Sequence, residues 1–224
     1  GEVTLEVLDA RGAVVRRFSN LSSGEQRVEP AEPSMRGPMW ERIGTPRIPA
    51  AAGHNRFTWD LTLAGPFDPN PARSGRNGPT VVPGTYAVRI TNGAWTATKP
   101  LVIKPDPRMV ADGVTVPVLQ QLLDHNLATR ELVSDMNRFA ADVETAYRAA
   151  TGEKKTAIGA IREIVNSEAW RYGRPGLAAQ VQYLDGAMMR ADQAVGNDTK
   201  QRLTVLRKEL TEVQAKFQRA SSTM

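Results

Sequence analysis

The 224-residue sequence predicts an α+β chain in two successive parts. Residues 1–110 read as an immunoglobulin-like antiparallel β-sandwich, and residues 111–224 as an antiparallel bundle of three or four helices. Two observations carry this: apolar residues recur every second position in the first part, and every third or fourth position in the second. A third supports it, since turn residues punctuate the first part at short intervals.

In "EVTLEVLDARGAVVRRF", Val3, Leu5 and Val7 alternate with Thr4 and Glu6. Residues 9–12 then supply a turn, and residues 13–18 return as a second strand, which makes a hairpin. Residues 56–61 place Phe57, Trp59 and Leu61 on one face and Arg56, Thr58 and Asp60 on the other, the pattern of a further strand. "VVPGTYAVRITNGAWTATKPLVIK" gives a Pro83-Gly84 turn, a strand over residues 85–91, an Asn92-Gly93 hairpin turn and a last strand to Lys104. Trp95 falls inside that strand and is expected to pack.

Two long loops interrupt the sandwich, residues 28–50 and 65–84, both rich in proline, glycine and arginine. Proline removes ladder donors and breaks helical turns, so neither segment suits a helix or a central strand. Loops of this length inside a compact domain are commonly functional or disordered. They supply most of the candidate partner-binding residues: Met35, Arg36, Met39, Trp40, Arg42, Arg73 and Arg76. For Trp40, folding back onto the sandwich is the alternative to docking.

The second part holds the stripe Leu122, Asn126, Thr129, Val133, Met136, Ala140, Val143 and Tyr147, which alternates steps of four and three along one long helix. A shorter helix follows over about residues 153–167. Pro175 opens a third segment with Leu177, Val181, Leu184, Met188 and Val195. Asp198 caps a last helix striped by Leu203, Leu206, Leu210, Val213 and Phe217. These stripes are core rather than a cofactor box, because inward Glu or His ligands are missing from them; no cofactor is expected. The loop "SEAWRYGRPG" adds Trp170, Arg171 and Tyr172 as candidate binding residues, with packing on their own helices as the alternative.

Charge and composition narrow the function. The net formal charge is +5, and residues 1–110 hold 14 Lys and Arg against 10 Asp and Glu, so the basic excess lies in the first part. Its arginines are scattered, without the dense basic block and interleaved aromatics of a nucleic-acid surface. An arginine-decorated surface facing an acidic protein partner fits better. No apolar run approaches the roughly 18 residues of a membrane helix, so any membrane contact is peripheral or through a partner. Zero cysteines remove thiol catalysis, disulfides and thiolate metal sites. The start at Gly1-Glu2 reads as a processed chain or a piece of something longer.

"GHNRFTWDLTLAGP" is where catalysis would be sought, since His54, Asn55, Arg56 and Asp60 crowd together. The pleat points Arg56 and Asp60 outward while Phe57 and Trp59 turn in, and Asn55 belongs to the turn that starts the segment. That stretch is therefore read as scaffold, and no catalytic or metal-binding residue is assigned. With only His54 and the distant His125 to supply imidazole, a metal centre lacks ligands. Asp60, Asp68 and Asp106 are the carboxylates near loops that a glycosidase reading would need.

The same stretch, followed by "VVPGTYAVRITNGAWTATKPLVIKPDPR" and "RPGLAAQVQYLDGAMMRADQAVGNDTKQRLTVLRKELTEVQAKF", resembles the C-terminal region of secreted bacterial proteins of the sortilin N-terminal (VPS10-like), BNR-repeat propeller class. The opening "VTLEVLDARGAVVRRF" is similar to the immunoglobulin-like module of flagellar hook-capping proteins. The resemblance implies an exported, periplasmic or extracellular module for packing or docking. Propeller blades would recur every ~40–50 residues, and no such repeat is present, so no catalytic residue carries over. The expectation is a non-catalytic structural subunit bound to protein partners in a larger assembly at a membrane surface. An extrinsic subunit of a bacterial photosynthetic reaction-centre and light-harvesting complex is one concrete form. The alternatives are an accessory module of a carbohydrate-active propeller enzyme and an adhesin-like sugar binder that stacks on Trp40 or Trp95.

Overall fold

The computed structural model describes residues 1–21, 47–70, 73–76, 78–167, 173–189 and 192–222. Strands come first and helices follow, so the chain is α+β. Strands β1 (Val3–Leu8), β2 (Val14–Ser19), β3 (Gly84–Asn92) and β4 (Trp95–Ile103) form one antiparallel sheet in the order β2-β1-β3-β4. The first hairpin closes on Asp9, whose Oδ1 accepts from the backbone N–H groups of Arg11 and Ala13 at 2.9 Å each, and Gly12 takes a left-handed φ of 80°. The second closes at Gly93, with φ 57°.

Register fixes the faces. Leu5 stands opposite both Phe18 and Ile90, and Ile90 opposite Ala97, so these side chains share one apolar face with Val7 and Val88. The other face carries Glu6 and Arg89, which pair at 2.7 Å across β1 and β3, and a Thr91–Thr96 hydroxyl contact at 3.2 Å. Burial is deepest at Val7 and Phe18 and fades toward β4, the sheet's edge. Trp95 is 58% exposed. Its place at the start of an edge strand, opposite Asn92, leaves its ring without the cover expected of it.

The segment 56–61 corrects the sequence reading in a second way, because it is not a strand. Its alternation survives in part: Phe57 and Trp59 are half-buried, with Phe57 at 4.8 Å from the Phe18 ring, while Arg56, Thr58 and Asp60 are exposed. Leu61 leaves the pattern with φ 60° and an exposed side chain. The reason is local. Asp60 Oδ1 accepts from both the backbone N–H and the hydroxyl of Thr62, at 3.1 and 2.7 Å, and Trp59 Nε1–H donates to the Thr62 carbonyl at 2.9 Å. That turn holds Leu61 in a left-handed conformation costing roughly 1–2 kcal/mol. Beyond it, Thr62 and Thr80 make a single antiparallel bridge. Among the described residues there is thus one sheet and no second layer of strands.

A one-turn helix α1 (Pro107–Ala111), which the sequence pattern did not announce, starts on an Asp106 cap. Four longer helices follow: α2 (Val116–Ala149), α3 (Gly152–Asn166), α4 (Leu177–Met188) and α5 (Asn197–Ser222). Their directions follow from their contacts. Glu144 meets Arg162 at 2.6 Å, and Leu122 clusters with Met188, so α3 and α4 run one after the other back along α2. Arg207 donates to the Ala128 carbonyl, and Phe139 meets Phe217 edge-on at 5.5 Å, so α5 runs parallel to α2. The 15 and 12 residues of α3 and α4 together face the 34 of α2. Leu132, Met136, Val143, Ile158, Val165, Val181, Leu206 and Leu210 belong to the main core that results. Val195, placed on the third helix by spacing alone, lies beyond its end and is buried against Leu122 and Met188. Asp198 sits in the first turn of α5.

Candidate docking site

The loop 61–81 is where the sheet half meets the helical half. Its neck is pinched by backbone: Leu63 N–H donates to the Pro79 carbonyl and Val81 N–H to Leu61, each at 2.8 Å. Further out, Gly65 N–H donates to Gly75, and Gly75 N–H to Pro66, each at 2.9 Å. The two arms of this neck approach so closely that only glycine fits. A Cβ on Gly65 would lie 1.6 Å from the Arg76 carbonyl oxygen, and one on Gly78 would lie 2.0 Å from that of Leu63.

Helix α2 grips the outgoing arm. Phe67 N–H donates to Ser134 Oγ at 3.0 Å, Asn137 Nδ2 donates to the Phe67 carbonyl at 2.7 Å, and Arg130 donates to the Ala64 carbonyl at 3.1 Å. The Arg138 guanidinium stacks 4.9 Å from the Phe67 ring centroid. Three hydrogen bonds of about 1 kcal/mol each and one cation–π contact of about 0.5–1 kcal/mol make a clasp of a few kcal/mol. Strand β2 grips the returning arm: Arg16 donates to the Gly75 carbonyl at 3.3 Å and lies over the Phe18 ring at 5.3 Å. Burial lowers the Arg16 pKa from its usual value, Asp60 opposes that, and Arg16 Nε is buried without a partner.

At the tip, Arg73 is held rather than loose. Its Nε and Nη2 donate to Asp68 Oδ2 and Oδ1 at 3.0 and 3.3 Å, and Asp68 Oδ1 also accepts the Asn70 N–H at 2.7 Å. With 66% of its side chain exposed, Arg73 is presented outward on a fixed stem. Arg76 is half-buried in the same turn. The other candidates, Met35, Arg36, Met39, Trp40, Arg42, Trp170, Arg171 and Tyr172, lie outside the described residues, as does most of the loop 28–50. Of that loop, Ile48 is buried and donates its N–H to the Ser19 carbonyl at 3.3 Å, beside β2.

His54, Arg56 and Asp60 do not converge. All three are exposed, Asn55 donates to the Ala51 and Gly53 carbonyls in its own turn, and Asp60 is occupied by Thr62. Asp68 pairs with Arg73. Asp106 pairs with Arg108 at 2.7 Å, and these hydrogen bonds hold its carboxyl down at about 2. Among the described residues, no group of three or more His, Asp and Glu is arranged to hold a metal. No described helix is long and apolar enough to cross a membrane.

Sequence reasoning missed the clasp residues of α2. A signal was available, since 130, 134, 137 and 138 step by four, three and one, a second stripe beside the apolar one. No family model matches the chain, and neither a curated protein nor a solved structure does.

Proposed function

We propose that this chain is a non-catalytic exported subunit, periplasmic or extracellular, that docks on a larger protein assembly at a membrane surface. It reads as an immunoglobulin-like module joined to a helical bundle, of the kind that follows the propeller in sortilin-like secreted proteins. An extrinsic subunit of a membrane complex, such as a bacterial photosynthetic reaction-centre and light-harvesting complex, is a concrete instance. The observation that carries the reading is Arg73, displayed on a loop whose two arms are fixed to β2 and α2. A stem fixed before binding lowers the ordering cost of recognition, and the Arg73 guanidinium, although its Nε and Nη2 bond Asp68, keeps an exposed cationic face for an acidic partner. The test is recovery of the native assembly with the tagged full chain. Arg73→Glu is expected to cut partner recovery about tenfold, a loss of ~1.4 kcal/mol, and recovery equal to wild type removes the loop from the interface.

The exposed indole of Trp95 favours a second reading, an adhesin-like sugar binder that stacks carbohydrate on the sheet edge. Retention on polysaccharide columns that Trp95→Ala abolishes would support it. Passage of the wild-type chain without delay would dismiss it.

A further inference from the structure

The helical core is not continuous. Leu122, Met188 and Val195 form a small apolar cluster near the start of α2, separate from the main core that begins around Leu132. Between them α2 buries three polar residues in succession: His125, Asn126 and Thr129. Thr129 Oγ donates to the His125 carbonyl at 3.0 Å. His125 is only 8% exposed, and its Nε2 is buried with no hydrogen-bond partner.

The charges around this imidazole are of one sign where they matter. From α5, Lys200 and Arg207 act on it electrostatically, and Arg207 is tied in place by its bond to the Ala128 carbonyl at 3.0 Å. From α4, Asp185 lies one turn before Met188, and no hydrogen bond or ion pair joins it to His125. On α2 itself, Asp124 is exposed and accepts from Gln120 at 2.9 Å. Asp192 and Asp198, in and after the connection to α5, are exposed as well.

We propose that His125 is an acid-sensitive latch: as a neutral ring it lets the early turns of α2 and α5 close on each other, and its protonation drives them apart. Burial first, and then repulsion from Lys200 and Arg207, hold its pKa below the ordinary histidine value. The unfolded chain therefore takes up this proton before the folded one does. The contribution is intact above about pH 6.5 and is lost as pH falls below it. Asp185 gives no relief, because burial raises its pKa to about 6 and it turns neutral over the same range.

Hydrogen exchange of the full chain at about pH 7.5 and about pH 5, corrected for intrinsic rates, tests this. Residues 116–128 and 197–207 are expected to lose protection about tenfold at the lower pH, while 132–148 keep theirs. His125→Gln should make the two conditions alike. Should that variant fail to fold, Lys200→Gln, at an exposed position, should shrink the loss, and the His125 ring should titrate below the ordinary histidine value. A wild type with no acid-induced loss overturns the proposal. So does a loss unchanged in the variants, or a His125 midpoint at or above the ordinary histidine value of about 6.5.

Discussion

The two halves of this molecule are stabilised by different means. The helical half buries one shared cluster drawn from four helices, in which Val143, Val165, Val181 and Leu206 are completely covered. The sheet half has four strands, one edge of which leaves Trp95 and Val102 to solvent, and its deepest residues, Val7 and Phe18, lie toward β2. A single sheet needs something against its apolar face. Here much of the order in the first half comes from loop backbone pinched at Gly65 and Gly78 and from the grip of α2 on Phe67. The comparison teaches that the proline- and glycine-rich loop is structural mortar along its stem and displays only its tip.

Four changes probe this contrast, the largest first. Leu206→Ala opens a cavity in the shared core and should cost about 2–5 kcal/mol in chemical denaturation, with the helical signal lost at lower denaturant. Gly65→Ala forces its Cβ onto the Arg76 carbonyl and should cost about 1–3 kcal/mol, read as lost amide protection at Leu63 and Val81 while α3 and α5 are unchanged. Asp185→Asn sharpens the helical side of the comparison. A carboxyl whose folded pKa is raised to about 6 contributes stability at low pH and loses it as pH climbs from about 4 to 6. The asparagine variant should be more stable than wild type near neutral pH by about 1–2 kcal/mol, with the difference vanishing near pH 4. The smallest effect is expected at the sheet edge, where Trp95→Ala should move the melting midpoint by no more than about 0.5 kcal/mol allows. A large destabilisation there would mean that the edge is covered after all.

How much of this was legible in the sequence differs between the halves for a physical reason. Helical periodicity is enforced by local geometry, so the stripe from Leu122 to Val143, half-buried only at Ala140, and the stripe from Leu203 to Val213 are buried where spacing put them. Both hairpins were legible too, because Asp9-to-Gly12 and Asn92-Gly93 carry their turn chemistry in adjacent residues. Residues 56–61 misled because alternation is necessary for a strand without being sufficient. Asp60 found its partner two residues away in Thr62, and that local bond diverted Leu61 from any ladder. Trp95 misled because strand membership says nothing about which strand becomes the edge. The clasp was hidden for a third reason: Ser134 and Asn137 are unremarkable letters until a loop some seventy residues earlier arrives to meet them.

Spin–spin distances across the clasp address its central role most directly, and a chain with no native cysteine permits clean labelling. Labels at Thr98→Cys on β4 and Thr145→Cys on α2, both exposed, should give one narrow distance distribution in the wild-type background. It should broaden when Ser134→Ala and Asn137→Ala are introduced together. A distribution already broad in the wild type, or one that the double variant leaves narrow, would contradict the idea that α2 fixes the loop and, through it, the sheet.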